Sequence, residues 1–268
     1  MLKDITIGQY FPGDTLVHNY DPKLKIITMF IYIVSLFFIN EMLMYIPILI
    51  YLLLILLSAK LPIGLVLKGL KPLRIIIFVT FLINLFFTPG EAVYQFGFLK
   101  ISQEGIDMAF FMGIRLILLV LGTSLLTYTT SPIELTDGIE SLLRPFRKIG
   151  VPSHEIAMMM TIALRFIPTL IEETDKIMKA QMARGADFES GNLISRAKNL
   201  VPLLVPLFIN SFRRAEELAT AMEARCYRGG DGRTKMNTSI ITSKDVIIFI
   251  GNIIFFAIVI IGSRIWIF

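Results

Sequence analysis

Residues 155–184 read EIAMMMTIALRFIPTLIEETDKIMKAQMAR, and this stretch predicts one long amphipathic helix. In its second half, mostly apolar side chains recur at steps of three or four residues, and most charged side chains fall between them. The positions of this stripe are Ile167, Leu170, Ile171, Thr174, Ile177, Met178 and Met182. We expect the helix to begin near Ser153, to bend at Pro168 and to end at Ala183-Arg184-Gly185.

A second helix repeats this design, with Pro202 and Pro206 marking its start or an early bend. Its end, Ala224-Arg225, repeats Ala183-Arg184 at a distance of 41 residues, which indicates a weak internal repeat. The stripe of this second helix comprises Leu204, Leu207, Phe208, Phe212, Ala215, Leu218, Ala219 and Met222.

The two Ala-Arg ends have an ordinary interpretation and a functional one. Arg suits the last turn of a helix because the dipole is negative there, and Gly185 suits the position that follows the end. An exposed Arg at a helix end can also enter a groove on a partner and bind a carboxylate with two hydrogen bonds. Two equivalent ends favour the second interpretation and predict a dimeric partner with two equivalent grooves.

The rest of the chain is apolar enough to predict a membrane protein. Of its 268 residues, 55% are hydrophobic, and the formal charge is +5. A span needs roughly 20 mostly apolar residues. We expect five spans, with one short re-entrant segment as the alternative. They lie at about 24–40, 42–59, 73–89, 105–130 and 245–263.

The placement of Lys and Arg predicts the orientation. Residues 131–240 hold fifteen Lys or Arg, whereas the loop 88–104 has only Lys100. We therefore expect the N-terminus, the loop 60–72 and the block 131–240 to face the cytoplasm. The segment 61–72 is either an interfacial helix or an extension of a neighbouring span.

Arg115 lies inside the fourth predicted span, where an unrelieved charge is costly. We expect it to snorkel or to pair inside the bundle rather than to line a transport path. No other strong charge lies in the middle of a span, which argues against an ion-coupled carrier with inverted repeats.

The motifs of common enzymes are absent from the sequence. It has no G-x-x-x-x-G-K-[ST] loop, no H-E-x-x-H, no G-x-S-x-G and no Cys/His cluster, since Cys226 is the one cysteine and His18 and His154 are the two histidines. Glu172 and Glu173 are interpreted as a solvated helix face. A membrane-embedded enzyme or a stand-alone carrier stays the alternative function.

Four stretches resemble a known family. They are GQYFPGDTLVHNYDPKLK at 8–25, ALRFIPTLIEE at 163–173, QMARGADF at 181–188 and AMEARCYRGGDGRTK at 221–235. The chain resembles the transmembrane T component of energy-coupling factor transporters, which import vitamins and metal ions and belong to the ATP-binding-cassette class. It is more similar to the shared, vitamin-type T component than to the version dedicated to cobalt or nickel.

The resemblance implies an all-α integral membrane protein with about five transmembrane helices and a cytoplasmic domain of long amphipathic coupling helices. The implied division is a cytoplasmic segment 1–22, a four-helix membrane region 23–130, a coupling domain 131–240 and a final span 241–268. The location is the prokaryotic plasma membrane, with a cytoplasmic N-terminus.

The resemblance also implies the partners, which are two cytosolic ATPase subunits and one integral membrane substrate-binding S component, with no nucleic acid. The subunit is not an enzyme and binds no metal or cofactor, because the ATPases bind ATP and Mg²⁺. The implied ATPase contacts are Ala183, Arg184, Gly185, Ala224 and Arg225. The implied S-component contacts are Met178, Met182, Leu204, Leu207, Phe208 and Met222; alternatively, the methionines fill the helix crossing.

One residue departs from the family pattern. Cys226 stands where the family usually has Gly. We therefore expect the sharp stop of the second helix to fall later, at Gly229-Gly230.

Overall fold

The computed structural model describes residues 10–90, 92–96, 99–186, 188, 192–230 and 241–265. The chain divides into two compact units. The bundle unit contains the described residues of 10–139 and 241–265, and the helix-pair unit contains those of 140–230.

The described elements are α-helices and one small hairpin. They are α1 (Pro22–Phe38), α2 (Tyr45–Ser58), α3 (Ile63–Leu70), α4 (Arg74–Phe87), β1 (Ala92–Phe96), β2 (Leu99–Ser102), α5 (Gln103–Thr129), α6 (Pro132–Leu143), α7 (Ser153–Ala183), α8 (Leu193–Ala224) and α9 (Ser243–Ile265). Short 3-10 turns occupy Met42–Met44, Lys71–Leu73 and Arg144–Ile149. The protein is therefore an all-α membrane protein with one hairpin inserted in the predicted loop 88–104.

Four helical stretches of the described chain are long and apolar enough to cross a membrane: Ile63–Phe87, Gln103–Thr129, Ser153–Ala183 and Ser243–Ile265. Two of them coincide with the predicted spans 105–130 and 245–263. The stretch Ile63–Phe87 joins the predicted span 73–89 to the segment 61–72, so the extension fits better than a separate interfacial helix. The first two predicted spans form α1 and the apolar stretch Met42–Ser58, each 17 residues long. Such helices are about 26 Å long, slightly less than a hydrocarbon core of roughly 30 Å.

Side-chain caps fix where the helices of the bundle unit begin. The carboxylate of Asp21 accepts hydrogen bonds from the backbone N–H groups of Lys23 and Leu24 at 3.0 and 3.2 Å, with Pro22 at the first helical position. At the start of α6, Ser131 and Glu134 bond reciprocally to each other's backbone N–H at 3.3 and 2.9 Å. Helix α1 therefore begins at Pro22 and α6 at Pro132.

The core of the bundle unit lies where α1, α2, α5 and α9 meet. Leu36, Ile48, Leu118 and Phe256 are almost completely buried there. Tyr32 crosses the core and donates a hydrogen bond to the Leu118 carbonyl at 2.6 Å. A Cβ at Gly122 would lie 2.3 Å from the Tyr32 ring, so only glycine lets these helices approach this closely.

A buried lysine caps the C-terminal end of α5. The Lys25 ammonium donates to the carbonyls of His18 and Thr129 at 2.9 and 3.0 Å, and to the Thr130 hydroxyl at 3.2 Å. All three of its N–H groups are thus used, and one of its acceptors is a terminal carbonyl of α5. The N-terminal residues 10–20 are tied to the same place, since the N–H of Phe11 donates to the Tyr128 carbonyl at 2.9 Å.

Arg115 forms its hydrogen bonds inside the bundle, which confirms the expectation that it pairs there. Its guanidinium donates to the Tyr45 hydroxyl at 3.0 Å and to the Ile39 carbonyl at 2.8 Å, and it lies 4.5 Å from the Phe111 ring centroid. Ile39 follows the last residue of α1, so its carbonyl has no N–H group of a later helical turn from which to accept a hydrogen bond. Arg115 therefore joins the middle of α5 to the tight connection between α1 and α2.

The helix-pair unit has very little apolar core. Among its described residues, Ala157 and Leu203 are the apolar side chains that are buried. Helix α7 begins at Ser153 as predicted and continues through Pro168. Helix α8 begins at Leu193, so Pro202 and Pro206 lie inside it, which excludes the first of the two alternatives, that they mark its start, and leaves the early bend. Proline has no backbone N–H, so the helix lacks one hydrogen bond at each of these positions.

We expect Arg115→Ala to lower the free energy of unfolding by about 3 kcal/mol, because it leaves the Ile39 carbonyl and Tyr45 hydroxyl without their charged donor. Thermal unfolding of the full-length chain in detergent measures this. The control is Arg264→Ala, at an exposed Arg in the last turn of α9. Equal losses in the two variants would contradict the assigned role of Arg115.

Candidate docking site

The first Ala-Arg end is a tight left-handed helix stop. Helix α7 ends at Ala183, and Arg184 follows with φ −89° and ψ 7°. Gly185 takes φ +87°. Its N–H donates to the Met182 carbonyl, and the N–H of Ala186 donates to the Gln181 carbonyl, both at 3.0 Å. This pair of bonds defines the Schellman motif.

The second end has the same geometry, residue for residue. Helix α8 ends at Ala224, and Arg225 follows with φ −91° and ψ 13°. Cys226 takes the left-handed conformation with φ +57°. Its N–H donates to the Glu223 carbonyl at 2.8 Å, and the N–H of Tyr227 donates to the Met222 carbonyl at 3.0 Å. The internal repeat seen in the sequence is therefore also a repeat of backbone structure.

The expectation that Cys226 displaces the second stop to Gly229-Gly230 is wrong. Cys226 adopts the conformation that Gly185 adopts in the first end, although a side chain makes this conformation less favourable by about 1–2 kcal/mol. Two well-formed hydrogen bonds on either side of Cys226 offset that cost. The side chain that results is exposed and lies next to Arg225.

The backbone motif alone does not make a docking site, since helix α2 ends in a similar way. Lys60 has φ +52° there, with bonds from Lys60 to the Leu57 carbonyl and from Leu61 to the Leu56 carbonyl. At that end, however, the residue in the position of Arg184 is Ala59, which is 2% exposed. What sets the two Ala-Arg ends apart is an exposed arginine at this position.

Arg184 and Arg225 are both exposed, and so are Ala183 and Ala224 before them. In the part of the chain that the structure describes, neither guanidinium forms an ion pair or hydrogen bond. Each retains its full set of N–H donors for a carboxylate of another molecule.

A polar contact that the sequence analysis missed holds the two long helices together. Glu173 of α7 forms an ion pair with Arg214 of α8 at 3.2 Å and accepts a hydrogen bond from Asn210 at 2.5 Å. The Glu173 side chain is 19% exposed, so its interpretation as part of a solvated face is wrong. Its spacing was the available signal: Glu173 is three residues after Leu170 and four before Ile177, in the row of the stripe.

Helix α8 presents two different faces, which the sequence analysis combined in one stripe. Leu203, Leu207, Asn210 and Arg214 follow each other at steps of three or four residues, and this row includes the contacts to α7. At 100° per residue, a second row lies on the opposite side of the helix. It comprises Val201, Val205, Phe208 and Phe212, which are 52–66% exposed.

The residues predicted to contact the S component are distributed over these surfaces. Leu204 and Phe208 are 61% and 66% exposed, on or beside the outer row of α8. Leu207 lies in the row that faces α7 and is half-buried. On α7, Met182 is 49% exposed and Met178 is half-buried, as Met222 is on α8.

The residues after the second Ala-Arg end return to the start of α7. A Cβ at Gly230 would lie 2.7 Å from the His154 ring, so the backbone packs directly on that ring. His154 in turn lies 3.2 Å from the Glu140 carboxylate through Nδ1. The second end is thereby held from both sides, by α8 before it and by this contact after it.

Within the described ranges, no group of three or more His, Cys, Asp or Glu side chains is placed to hold a metal ion. The chemistry that the two ends offer is recognition of carboxylates by exposed arginines on rigid helix ends.

Comparison with known proteins gives the family. The sequence profile of the CbiQ family, described as cobalt transport protein, matches residues 13–236. The energy-coupling factor transporter transmembrane protein EcfT of Clostridium kluyveri is 59% identical over 268 residues, which is 99% of each chain. The EcfT of Acidaminococcus fermentans is 58% identical over 92% of each chain, and that of Bacillus subtilis is 48% identical over 95% of this chain and 96% of its own.

The chain is a member of the energy-coupling factor T-component family. This T component is a multi-pass membrane protein and a subunit of a transporter, which confirms the resemblance seen in the four sequence stretches.

The T component offers a direct test of the left-handed position. We expect Cys226→Gly to raise the free energy of unfolding by about 1 kcal/mol, because glycine adopts this φ without steric cost. Gly185→Ala is expected to lower it by about the same amount. A Cβ at Gly185 would meet nothing within 4 Å, so this loss reports the backbone alone. Thermal unfolding measures both, and Gly251→Ala, in an open position inside α9, is the matched control.

Proposed function

We propose that this T component transmits ATP-driven motion of two cytosolic ATPase subunits to a membrane-embedded S component that carries the substrate. In this proposal the substrates are vitamins or other micronutrients. The ATPase subunits bind ATP and Mg²⁺, and this chain binds no cofactor of its own. The names of the relatives support a transporter subunit, and the geometry of the Ala-Arg ends supports the coupling role.

The observation that carries the proposal is the equality of the two ends. Ala183-Arg184-Gly185 and Ala224-Arg225-Cys226 have matching dihedral angles and matching hydrogen bonds, and their exposed arginines form no ion pair or hydrogen bond with the residues that the structure describes. Two such ends suit a partner made of two similar subunits, each with a groove that contains a carboxylate. A bidentate Arg–carboxylate contact at a rigid helix end transmits displacement as well as affinity.

The charge distribution supports the orientation that we propose. The block 131–240 carries fifteen Lys or Arg, which supports a cytoplasmic position for α7, α8 and the N-terminus. Helix α7 meets the length requirement for a span, but its mean hydropathy of 1.3 is the lowest of the four candidates. Its second half also carries Glu172, Glu173, Asp175, Lys176 and Lys179.

The outer row of α8 supports contact with an apolar partner. Val201, Val205, Phe208 and Phe212 are exposed on the side opposite the crossing with α7. Exposed apolar patches of this extent mark interaction sites. We assign this row to the S component, together with the methionines near the helix ends, whose flexible side chains suit interchangeable partners.

The two alternative functions have less support. A secondary carrier needs ionisable groups near the midplane, but Arg115 is occupied by the Ile39 carbonyl and the Tyr45 hydroxyl. A membrane-embedded enzyme needs a cluster of reactive side chains, and Glu173 is engaged in a structural contact with Arg214.

Charge reversal at the two ends tests the proposal. We expect Arg184→Glu or Arg225→Glu to weaken binding of the ATPase pair about 30-fold each, equivalent to about 2 kcal/mol, and the double variant to abolish it. Arg→Lys at either position should give an intermediate loss, because an ammonium cannot form the two-bonded contact. Co-purification with the candidate ATPases and ATP-dependent uptake measure these effects.

The matched control is Arg213→Glu, at another exposed arginine of α8 that lies outside the two ends. All variants are first checked for membrane insertion and thermal stability. If the double reversal leaves assembly and uptake intact, the ends are helix stops alone and the coupling function is wrong.

The outer row of α8 has its own test. We expect Leu204→Ser with Phe208→Ser to weaken capture of the S component about 30-fold, because two apolar contacts near the centre of the proposed interface are lost. Binding of the ATPase pair should not change. Phe146→Ser, at a phenylalanine that is 51% exposed outside α7 and α8, is the control. Normal S-component binding by the double variant would assign that contact to another surface.

A further inference from the structure

The two Ala-Arg ends have the same backbone geometry but differ in the charge of the residues that follow them. The eight residues after Arg184, at 185–192, include two acidic residues and no Lys or Arg. The eight residues after Arg225, at 226–233, include two arginines and one acidic residue. In sequence, the first end is therefore followed by negative charge and the second end by positive charge.

A basic turn precedes α7 in the same helix-pair unit. The 3-10 turn Arg144–Ile149 contains three basic residues and no acidic one, and all six of its residues are exposed. It ends in a left-handed stop, since Gly150 takes φ +92°. The N–H of Gly150 donates to the Arg147 carbonyl at 3.0 Å, and that of Val151 donates to the Phe146 carbonyl at 3.3 Å. The turn therefore presents its charges on a well-defined backbone.

Contacts around His154 bring this turn and the second Ala-Arg end together. The backbone of Gly230, five residues after Arg225, packs on the His154 ring. His154 also contacts the Glu140 carboxylate at 3.2 Å, and Glu140 lies four residues before Arg144. Helix α7 contacts the turn itself as well. The turn and the end of α8 thus form one basic surface, which comprises Arg144, Arg147, Lys148, Arg225 and Arg228.

The basic surface keeps a positive balance when its acidic neighbours are included. Glu140 and Glu155 are half-buried beside it, and Glu223 is exposed. The turn also exposes two apolar side chains, with Phe146 at 51% and Ile149 at 80%. Exposed apolar side chains among charges of one sign are typical of a surface that meets a protein of opposite charge.

We propose that the basic surface selects which of two non-identical ATPase subunits docks at the second Ala-Arg end. This inference rests on the proposed coupling function. The occupant is the subunit whose docking groove has the more acidic rim, and the other subunit binds at the first end. Charge at the rim of an interface discriminates between similar partners, because a like-charged partner is repelled. Two ends of equal geometry would thereby receive the two subunits in one fixed order.

Photo-crosslinking of the full-length chain, purified with both candidate ATPase subunits, tests this order. Ala180 and Ala221 are exposed and lie three residues before Ala183 and Ala224. Benzoylphenylalanine is placed at one of these two positions at a time. We expect position 221 to crosslink the subunit with the more acidic rim and position 180 to crosslink the other, each with a preference of about tenfold.

Two other results would contradict the selection. Equal crosslinking of both subunits at each position, or the opposite order, would overturn it while leaving the coupling function intact. If the unmodified chain co-purifies with neither subunit, the coupling function is wrong and the selection falls with it.

Charge reversal in the basic surface tests its role directly. The triple variant Arg144→Glu, Lys148→Glu and Arg228→Glu keeps the arginines of both Ala-Arg ends. We expect it to lose the crosslinking preference at position 221 while the ATPase pair still co-purifies. The matched control reverses three exposed charges elsewhere in the unit and should keep the preference: Lys176→Glu, Lys198→Glu and Arg213→Glu. A preference that persists in the triple variant overturns the proposal.

Ionic strength gives a test that needs no substitution in the basic surface. We expect the preference to decrease when salt is raised from about 0.05 to 0.5 M, because exposed charges are then screened within a few ångströms. A preference that does not change with salt would show that shape rather than charge selects the subunit, and would overturn the proposal.

Discussion

The contact of Glu173 with Arg214 and Asn210 is the interaction on which the helix-pair unit depends. Described apolar side chains of this unit are buried at only two positions, Ala157 and Leu203, so hydrophobic burial contributes little to the crossing. A partly buried ion pair with an added hydrogen bond specifies one register between α7 and α8. That register determines how the two Ala-Arg ends are placed relative to each other. The coupling that we propose, to a partner with two similar grooves, requires this constancy.

The same contact explains why the outer row of α8 stays free. Because α7 packs against the row that contains Leu203 and Arg214, the row of Phe208 and Phe212 turns away from it. The row that faces α7 combines Leu203 and Leu207 with Asn210 and Arg214, while the outer row is apolar and exposed. An apolar row on the exposed side is the reverse of what is usual for a soluble helix pair. This reversal is expected of a unit whose apolar surface becomes buried only on assembly.

The sequence predicted what depends on periodicity and on local caps. The start of α7 at Ser153 and the ends at Ala183 and Ala224 all follow from residues within one turn. It did not predict what depends on distant partners. Glu173 is separated from Asn210 by 37 positions and Arg115 from Ile39 by 76, and no local pattern names those partners. The left-handed Cys226 was missed for a related reason: intrinsic preference favoured Gly229, but the hydrogen bonds of a complete Schellman motif outweighed it.

Where local preference and structure disagree, the disagreement points to function. Cys226 in a glycine conformation and phenylalanines exposed on α8 each carry a cost in the isolated chain. A single substitution would have removed either of these costs. In the bundle unit, by contrast, Arg115 and Lys25 show that this chain satisfies buried charges fully when they serve stability alone. The strained Cys226 and the exposed phenylalanines lie at the second helix end and on the outer row of α8, which are the surfaces to which we assign partners.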